Sequence, residues 1–257
     1  MKVLILNGSY RGANGYTAFL AGRIADGVRS ADGEVETIHL AACTLRRCTG
    51  CFSCQRADRI GHCIWEGRDD ASRIFEAMRA ADVLVFASPI YVFHQSSLMH
   101  QLFDRYLGTC DSQAFHFTRS GLFFHQVDGA LCAKPFVTAF CQDNLETWTH
   151  RSAMNYYRIY QRFMDAPWVG KLVRPSGGRA GHGRADAVLA DAPAVNRIHQ
   201  AWQEAGAALV KKGRIPRSIE RRANRPLVRI PWLVRCFMHV PAFRERASRR
   251  IQDMMAP

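Results

Sequence analysis

Ser9, Arg11, Asn14 and Thr17 are interspersed with Gly8, Gly12 and Gly15 directly after an apolar run. Hydroxyls, an amide and a planar cationic fork, set among glycines that let backbone N–H groups approach closely, are what a phosphate needs. A helix opening near Gly15 would add uncapped amides and the positive end of its dipole, which brings Gly15 and Tyr16 into the set. The spacing has neither the Gly-Lys-Ser/Thr ending of a P-loop nor the three-glycine spacing of a dinucleotide fingerprint. A plain strand-to-helix connection is the alternative. Further on, Pro89, Ile90, Tyr91, Val92 and Phe93 offer aromatic and apolar surface suited to a flat ring.

A second chemistry lies between these groups. Cys48-x-x-Cys51-x-x-Cys54 is followed by Cys63. Thiolates at this spacing suit an iron–sulfur cluster or a structural zinc ion. Free thiols shaping a ligand pocket or a subunit contact are the third reading. His62 is either a further ligand or solvated. Asp69 and Asp70 resemble a catalytic pair, but at the start of a predicted helix they are expected to cap it. His94 is the side-chain candidate for proton transfer beside the ring-binding group, with a solvated histidine as the alternative.

The elements that must position these residues alternate strand and helix, which predicts an α/β, doubly wound sheet. Strands are expected near 2–7, 34–40, 82–88, 134–140 and 168–174. Leu20, Ile24 and Val28 mark one helix, and Ile74, Phe75 and Met78 another. Tyr156, Ile159, Tyr160 and Phe163 mark a later one, and Val195, Ile198, Trp202 and Leu209 a last long one. Ligands of such sheets sit beyond the carboxyl ends of the strands, so Ser9–Thr17 and Ser88–Phe93 become neighbours if their strands are adjacent. The connection 108–133, with Phe115, Phe117, Phe123 and Phe124, is a candidate cap or subunit contact, or else a surface loop.

A chain of 257 residues with 48% hydrophobic content has enough apolar surface for one substantial core. No apolar run approaches the roughly 20 residues of a membrane span. The apolar start, Val3–Leu6, is too short for a signal peptide and is read as a strand. Nine clustered cysteines, an odd number, speak for a reducing compartment and metal or redox use, hence for the cytoplasm.

With these elements placed, the chain resembles the NAD(P)H-dependent FMN reductases of the flavodoxin-like fold, including their iron–sulfur flavoprotein relatives. Three ordered groups carry the resemblance: Gly8, Ser9, Arg11 and Thr17; the cysteine group with Asp69 and Asp70; and Ser88, Pro89 and Tyr91 before a helix ending in Asp104 and Arg105. Tyr10 stands where the family commonly has proline, and Tyr16 intervenes before Thr17. The resemblance spans about residues 1 to 213. It implies a five-stranded parallel sheet, bound FMN, and NAD(P)H as hydride donor, with a quinone, flavin or other small acceptor. It also implies a third ligand loop at Cys141 and Gln142 whose backbone faces the polar edge of the flavin. Two alternatives follow: an electron carrier with a four-iron four-sulfur cluster at Cys48–Cys63, or a flavin-binding protein docked on a surface.

Residues 214–257 are read as a separate basic extension. They hold eleven arginines against Glu220, Glu245 and Asp253, about +8 of the chain's formal +13. Pro231–Val240 reads as a short helix with Leu233, Cys236, Phe237 and Val240 on one stripe. The expectation is an arm that packs on its own domain or supports a homodimer or higher homo-oligomer. Peripheral membrane contact is the second reading, and nucleic acid is not expected, because no DNA-binding motif or stacking platform is present.

Overall fold

Three runs of the chain are apolar on both sides and become buried central strands, flanked by two more mixed edge strands. The computed structural model describes residues 1–144, 146–177, 192–227 and 232–255. In chain order they form β1 (Lys2–Asn7), α1 (Tyr16–Arg29), β2 (Glu34–His39), α2 (Ala71–Ala80), β3 (Val83–Tyr91), β4 (His94–Gln95) and α3 (Ser97–Asp104). Then come β5 (Cys110–Phe117), β6 (Phe123–Val127), α4 (Gly129–Cys132), β7 (Phe136–Cys141), α5 (Arg151–Phe163) and β8 (Trp168–Arg174). The helices α6 (Pro193–Lys212), α7 (Arg217–Ala223), α8 (Trp232–Phe237) and α9 (Pro241–Met255) complete the described chain.

The main sheet runs β2-β1-β3-β7-β8 with every neighbour parallel. This is the expected flavodoxin-like order, and its direction reverses between β1 and β3, where such sheets open a crevice. Leu4, Leu6, Leu84, Phe86, Phe136 and Phe140 face α2, α3 and α5. Val3, Ile5, Val85, Val137 and Leu172 face α1 and α6. Those two helices touch backbone to backbone. A Cβ on Gly27 would come within 1.8 Å of the Gln203 carbonyl, and one on Gly206 within 2.0 Å of the Ile24 carbonyl.

Three expectations are corrected. β3 does not stop at Ser88-Pro89: it continues to Tyr91 and turns back antiparallel as β4. The long connection folds into the two-stranded hairpin β5–β6, tied to the cysteine loop by Gln55 accepting from the Ser112 N–H at 3.0 Å, and to α5 by the Phe124–Phe163 contact. The division after Gly213 does not coincide with a break in packing. Ile215 and Ala223 are buried in the core, Glu220 accepts from the Lys171 N–H, and Asn224 accepts from the Val173 N–H, so 214–227 lies on the edge strand β8.

Beyond it, the predicted helix is present as α8, and α9 follows it, begun by Pro241 in the position where a missing N–H costs nothing. Pro231 and the side chains of Trp232 and Leu233 lie outside the described residues. Among the described residues no helix is long and apolar enough to cross a membrane.

Candidate functional site

The β1–α1 loop is folded by Asn7, which ends β1 fully buried. Its Nδ2 donates to the Gly12 carbonyl at 2.9 Å and its Oδ1 accepts from the Ser9 N–H at 3.0 Å. Ser9 is buried, and its Oγ accepts from the Arg11 N–H. Gly15 is extended, and no side chain caps α1. A Cβ at Gly15 would sit 3.0 Å from Ser9 Oγ and 3.1 Å from Arg11 Cβ, crowding the concave side of the loop. Thr17 is buried in the first turn, and Arg11 and Asn14 are exposed. The loop thus presents uncapped helix amides and a cationic side chain in a space that a side chain at Gly15 would narrow. The Tyr16 hydroxyl is engaged with His199 Nε2 at 2.9 Å on α6, and burial raises its pKa well above the usual range. Its backbone N–H remains at the uncapped start of α1.

The second loop is locked to the first. Ser96 caps α3, accepting from the Met99 N–H, and donates its hydroxyl to the Gly8 carbonyl at 2.6 Å. Ser88 Oγ accepts from the Ser96 N–H at 2.9 Å, and Tyr10 shares a hydrogen bond with Ser97. Between the paired residues Tyr91 and His94, Val92 and Phe93 both take left-handed backbone conformations, with φ of 46° and 69°. Two such residues in a two-residue hairpin are the pattern that Asn-Gly normally fills, and for β-branched Val92 it is strained. Tyr91, Val92 and Phe93 are exposed, Val92 by 89%. Strain and exposed apolar surface coincide on the strand-end edge where the fold places ligands.

Pro89 pairs with Cys141 across the β3–β7 ladder, which sets the third loop beside the second. Burial pushes the Cys141 thiol up to about 12, against the opposing charge of Arg174, so it is neutral at pH 7 and no nucleophile. Gln142 is spent on the loop itself. Its N–H donates to the Arg174 carbonyl, its carbonyl accepts from Gly177, its Nε2 donates to the Glu146 carbonyl, and its Oε1 meets His150. Asp143 and Asn144, which follow it, are exposed.

His94 is not solvated as a lone ring. Its Nδ1 lies 2.7 Å from His100 Nε2, and Tyr156 stands edge-on to both. Burial lowers the pKa of both imidazoles; the charge of His100 lowers His94 further, while Asp104 opposes the shift at His100.

Cys48, Cys51, Cys54 and Cys63 line one pocket with Phe52 and Trp65. Burial raises the pKa of the Cys54 thiol, and the nearby Cys63 and Cys48 contribute in the same direction. Among the described residues no three His, Cys, Asp or Glu side chains converge closely enough to hold a single ion. A four-iron cluster takes one thiolate at each corner and spreads its ligands more widely. His62 pairs with Glu66 at 2.8 Å. Asp69 does more than cap. One oxygen accepts from the Ala71 N–H at the start of α2, and the other is ion-paired with the buried Arg105 and accepts from the Arg46 N–H. Arg105 also donates to the Arg46 carbonyl, so the two residues clamp the start of the cysteine loop. Asp70 accepts from the Thr44 N–H. The pairing of Asp69 with Arg105, 36 residues away, has no local sequence signal.

Residues 1–125 match the family of NADPH-dependent FMN reductases. An iron–sulfur flavoprotein of Archaeoglobus fulgidus is 34% identical over 105 residues, 41% of this chain and 48% of that protein. The chain thus spans about half the length of the curated relatives it matches. Among solved structures, an FMN-dependent NADH-azoreductase from Bacillus anthracis in complex with FMN is similar with a TM-score of 0.58 and 13% identity, covering 81% of this chain and 99% of that one. An NAD(P)H:quinone oxidoreductase from Methanothermobacter marburgensis aligns with a TM-score of 0.55 and 14% identity over 81% and 98%. At such identities these likenesses establish the fold. Residues 1–125 are thus similar to the NADPH-dependent FMN reductases, and the sheet that carries them has the fold of these solved flavoproteins.

Proposed function

We propose that this protein is an FMN-dependent oxidoreductase that takes hydride from NAD(P)H and passes electrons to a small acceptor such as a quinone or a flavin. The observation that carries the reading is the uncapped start of α1, opposite buried Ser9 and beside exposed Arg11, locked by Ser96 to a hairpin presenting Tyr91, Val92 and Phe93. On this reading the first loop takes the phosphate and the second the flat ring. Bound there, FMN supplies the two-electron chemistry between nicotinamide and acceptor.

The chain's own work is to bind and orient. Ser9, Arg11, Asn14, Thr17 and the amides of Gly15 and Tyr16 hold the phosphate. Pro89, Ile90, Tyr91, Val92 and Phe93 flank the ring and exclude water from one side. Cys141 and Gln142 set the third loop's approach. His94 is tied through Nδ1 to His100 and its pKa is lowered by burial; in the tautomer whose Nδ1–H donates to His100 Nε2, its own Nε2 accepts a proton. Steady-state oxidation of NADH and NADPH with quinones, free flavin, nitroaromatics and azo dyes tests the reading; no oxidation with any of them would contradict it.

One observation favours a second reading. Four cysteines share one pocket on a loop separate from the flavin loops, as an iron–sulfur electron carrier requires. In that case anaerobically purified protein contains iron and sulfide in stoichiometric amounts, and Cys51→Ser loses both while retaining FMN. Wild-type protein free of iron and sulfide removes this reading and leaves the first intact.

A further inference from the structure

The proposed reaction makes no use of α8 and α9. Phe237, Val240 and Phe243 in this arm are 53%, 50% and 37% exposed, and the two phenylalanine rings touch each other at 5.6 Å between centroids. Each would gain from leaving water, and the body of the molecule leaves them uncovered. Around them stand Arg235, Arg244, Arg246, Arg249 and Arg250, all exposed. Arg235 is paired with Glu146 and Arg249 with Glu245, while Arg244, Arg246 and Arg250 make no ion pair among the described residues. In α9 the sequence places Phe243, Ala247 and Ile251 four residues apart, with Arg246 and Arg250 one position before the second and third. The apolar stripe is therefore edged by arginine. A helix of 15 residues is too short to span a bilayer and has the composition of one that lies in its surface.

We propose that the arm docks on a bilayer surface containing anionic lipid, with Phe237, Val240 and Phe243 entering the acyl boundary and the arginines meeting headgroup phosphates. Charge complementarity selects this occupant. A second copy of the chain brings 35 basic against 22 acidic residues, so its surface repels the arm. A nucleic acid would satisfy the arginines and could stack on phenylalanine, but offers nothing to Val240. This departs from the expectation of an arm packed on its own domain, because the rings that would have sealed it there are left in solvent. Arg235 bonds Glu146, and the Glu146 carbonyl accepts from Gln142, so the arm is fastened to the third ligand loop and docking brings that loop to the membrane.

The test is co-sedimentation of the full chain with vesicles of phosphatidylglycerol and phosphatidylcholine, and with phosphatidylcholine alone, at low and high salt. The expected result is sedimentation with the anionic vesicles alone, reversed by salt. Two variants, Phe237→Ser/Phe243→Ser and Arg244→Gln/Arg246→Gln/Arg250→Gln, should each bind at least about tenfold more weakly with an unchanged melting temperature. The wild-type comparison decides the question even if a variant fails to fold. Failure to sediment, or equal sedimentation with neutral vesicles, overturns the proposal. So does a fall in solution mass of both variants with vesicle binding intact, which assigns the arm to a second copy. Duplex DNA binding that the arginine variant loses and the phenylalanine variant keeps, without vesicle binding, assigns it to nucleic acid.

Discussion

A dianionic phosphate in the first loop would draw charge-assisted hydrogen bonds from Ser9 and Arg11, each contributing about 1.5–3 kcal/mol. Ser9→Ala/Arg11→Ala should therefore weaken FMN binding by at least about tenfold, read by titrating apoprotein with FMN, with little change in unfolding. An unchanged dissociation constant would remove the phosphate from this loop. The histidine pair makes a prediction about pH. Burial lowers both values in the folded chain, so the unfolded chain binds protons more readily. Stability is then complete above the ordinary histidine pKa of about 6.5 and is lost as pH falls through the lowered values. Urea unfolding over a pH series should show a shallower acid loss in His94→Gln than in the wild type. Equal slopes would mean that the imidazole protonates in place at no cost.

At the scale of elements, the β3–β4 hairpin is held in a conformation its sequence does not favour. A left-handed β-branched residue costs about 1–2 kcal/mol, and Val92 recovers little by packing because it is 89% exposed. Val92→Asn, which tolerates this backbone, should stabilise the apoprotein by about 1 kcal/mol in urea unfolding and loosen FMN, if the valine is kept for its contact with the ring. A variant that is more stable and binds FMN equally well would show that Val92 has no part in the site. Strand and helix positions were readable because apolar runs and four-residue stripes depend on local periodicity. The hairpin was not readable, since Ser-Pro ordinarily ends a strand and Val-Phe is not a turn pair. Nor were the β5–β6 strands, whose ladder shifts register between Asp111 and Phe115.

For the whole molecule, the doubly wound sheet was legible because strands and helices alternate, while its five-stranded flavodoxin-like order came from the family resemblance. The residues proposed to hold a phosphate and a ring were legible as residue types. What escaped was long-range satisfaction: Tyr16 reaching His199, Gln142 consumed by Glu146 and His150, and Asp69 clamped to Arg105. Packing of 214–227 onto β8 was hidden too, because its arginines dominate the composition while Ile215 and Ala223 do the burying. The four thiols were visible as spacing, and the pocket that gathers them was not.

The central claim is that the three loops form one flavin site that a nicotinamide can reach. The most direct measurement is the visible spectrum of the FMN-titrated protein before and after NADH or NADPH is added without oxygen. Saturable binding of one FMN per chain, followed by bleaching of its absorption faster than that of free FMN, is the result predicted. Failure to bind FMN, or bound FMN that neither NADH nor NADPH bleaches, would contradict the account.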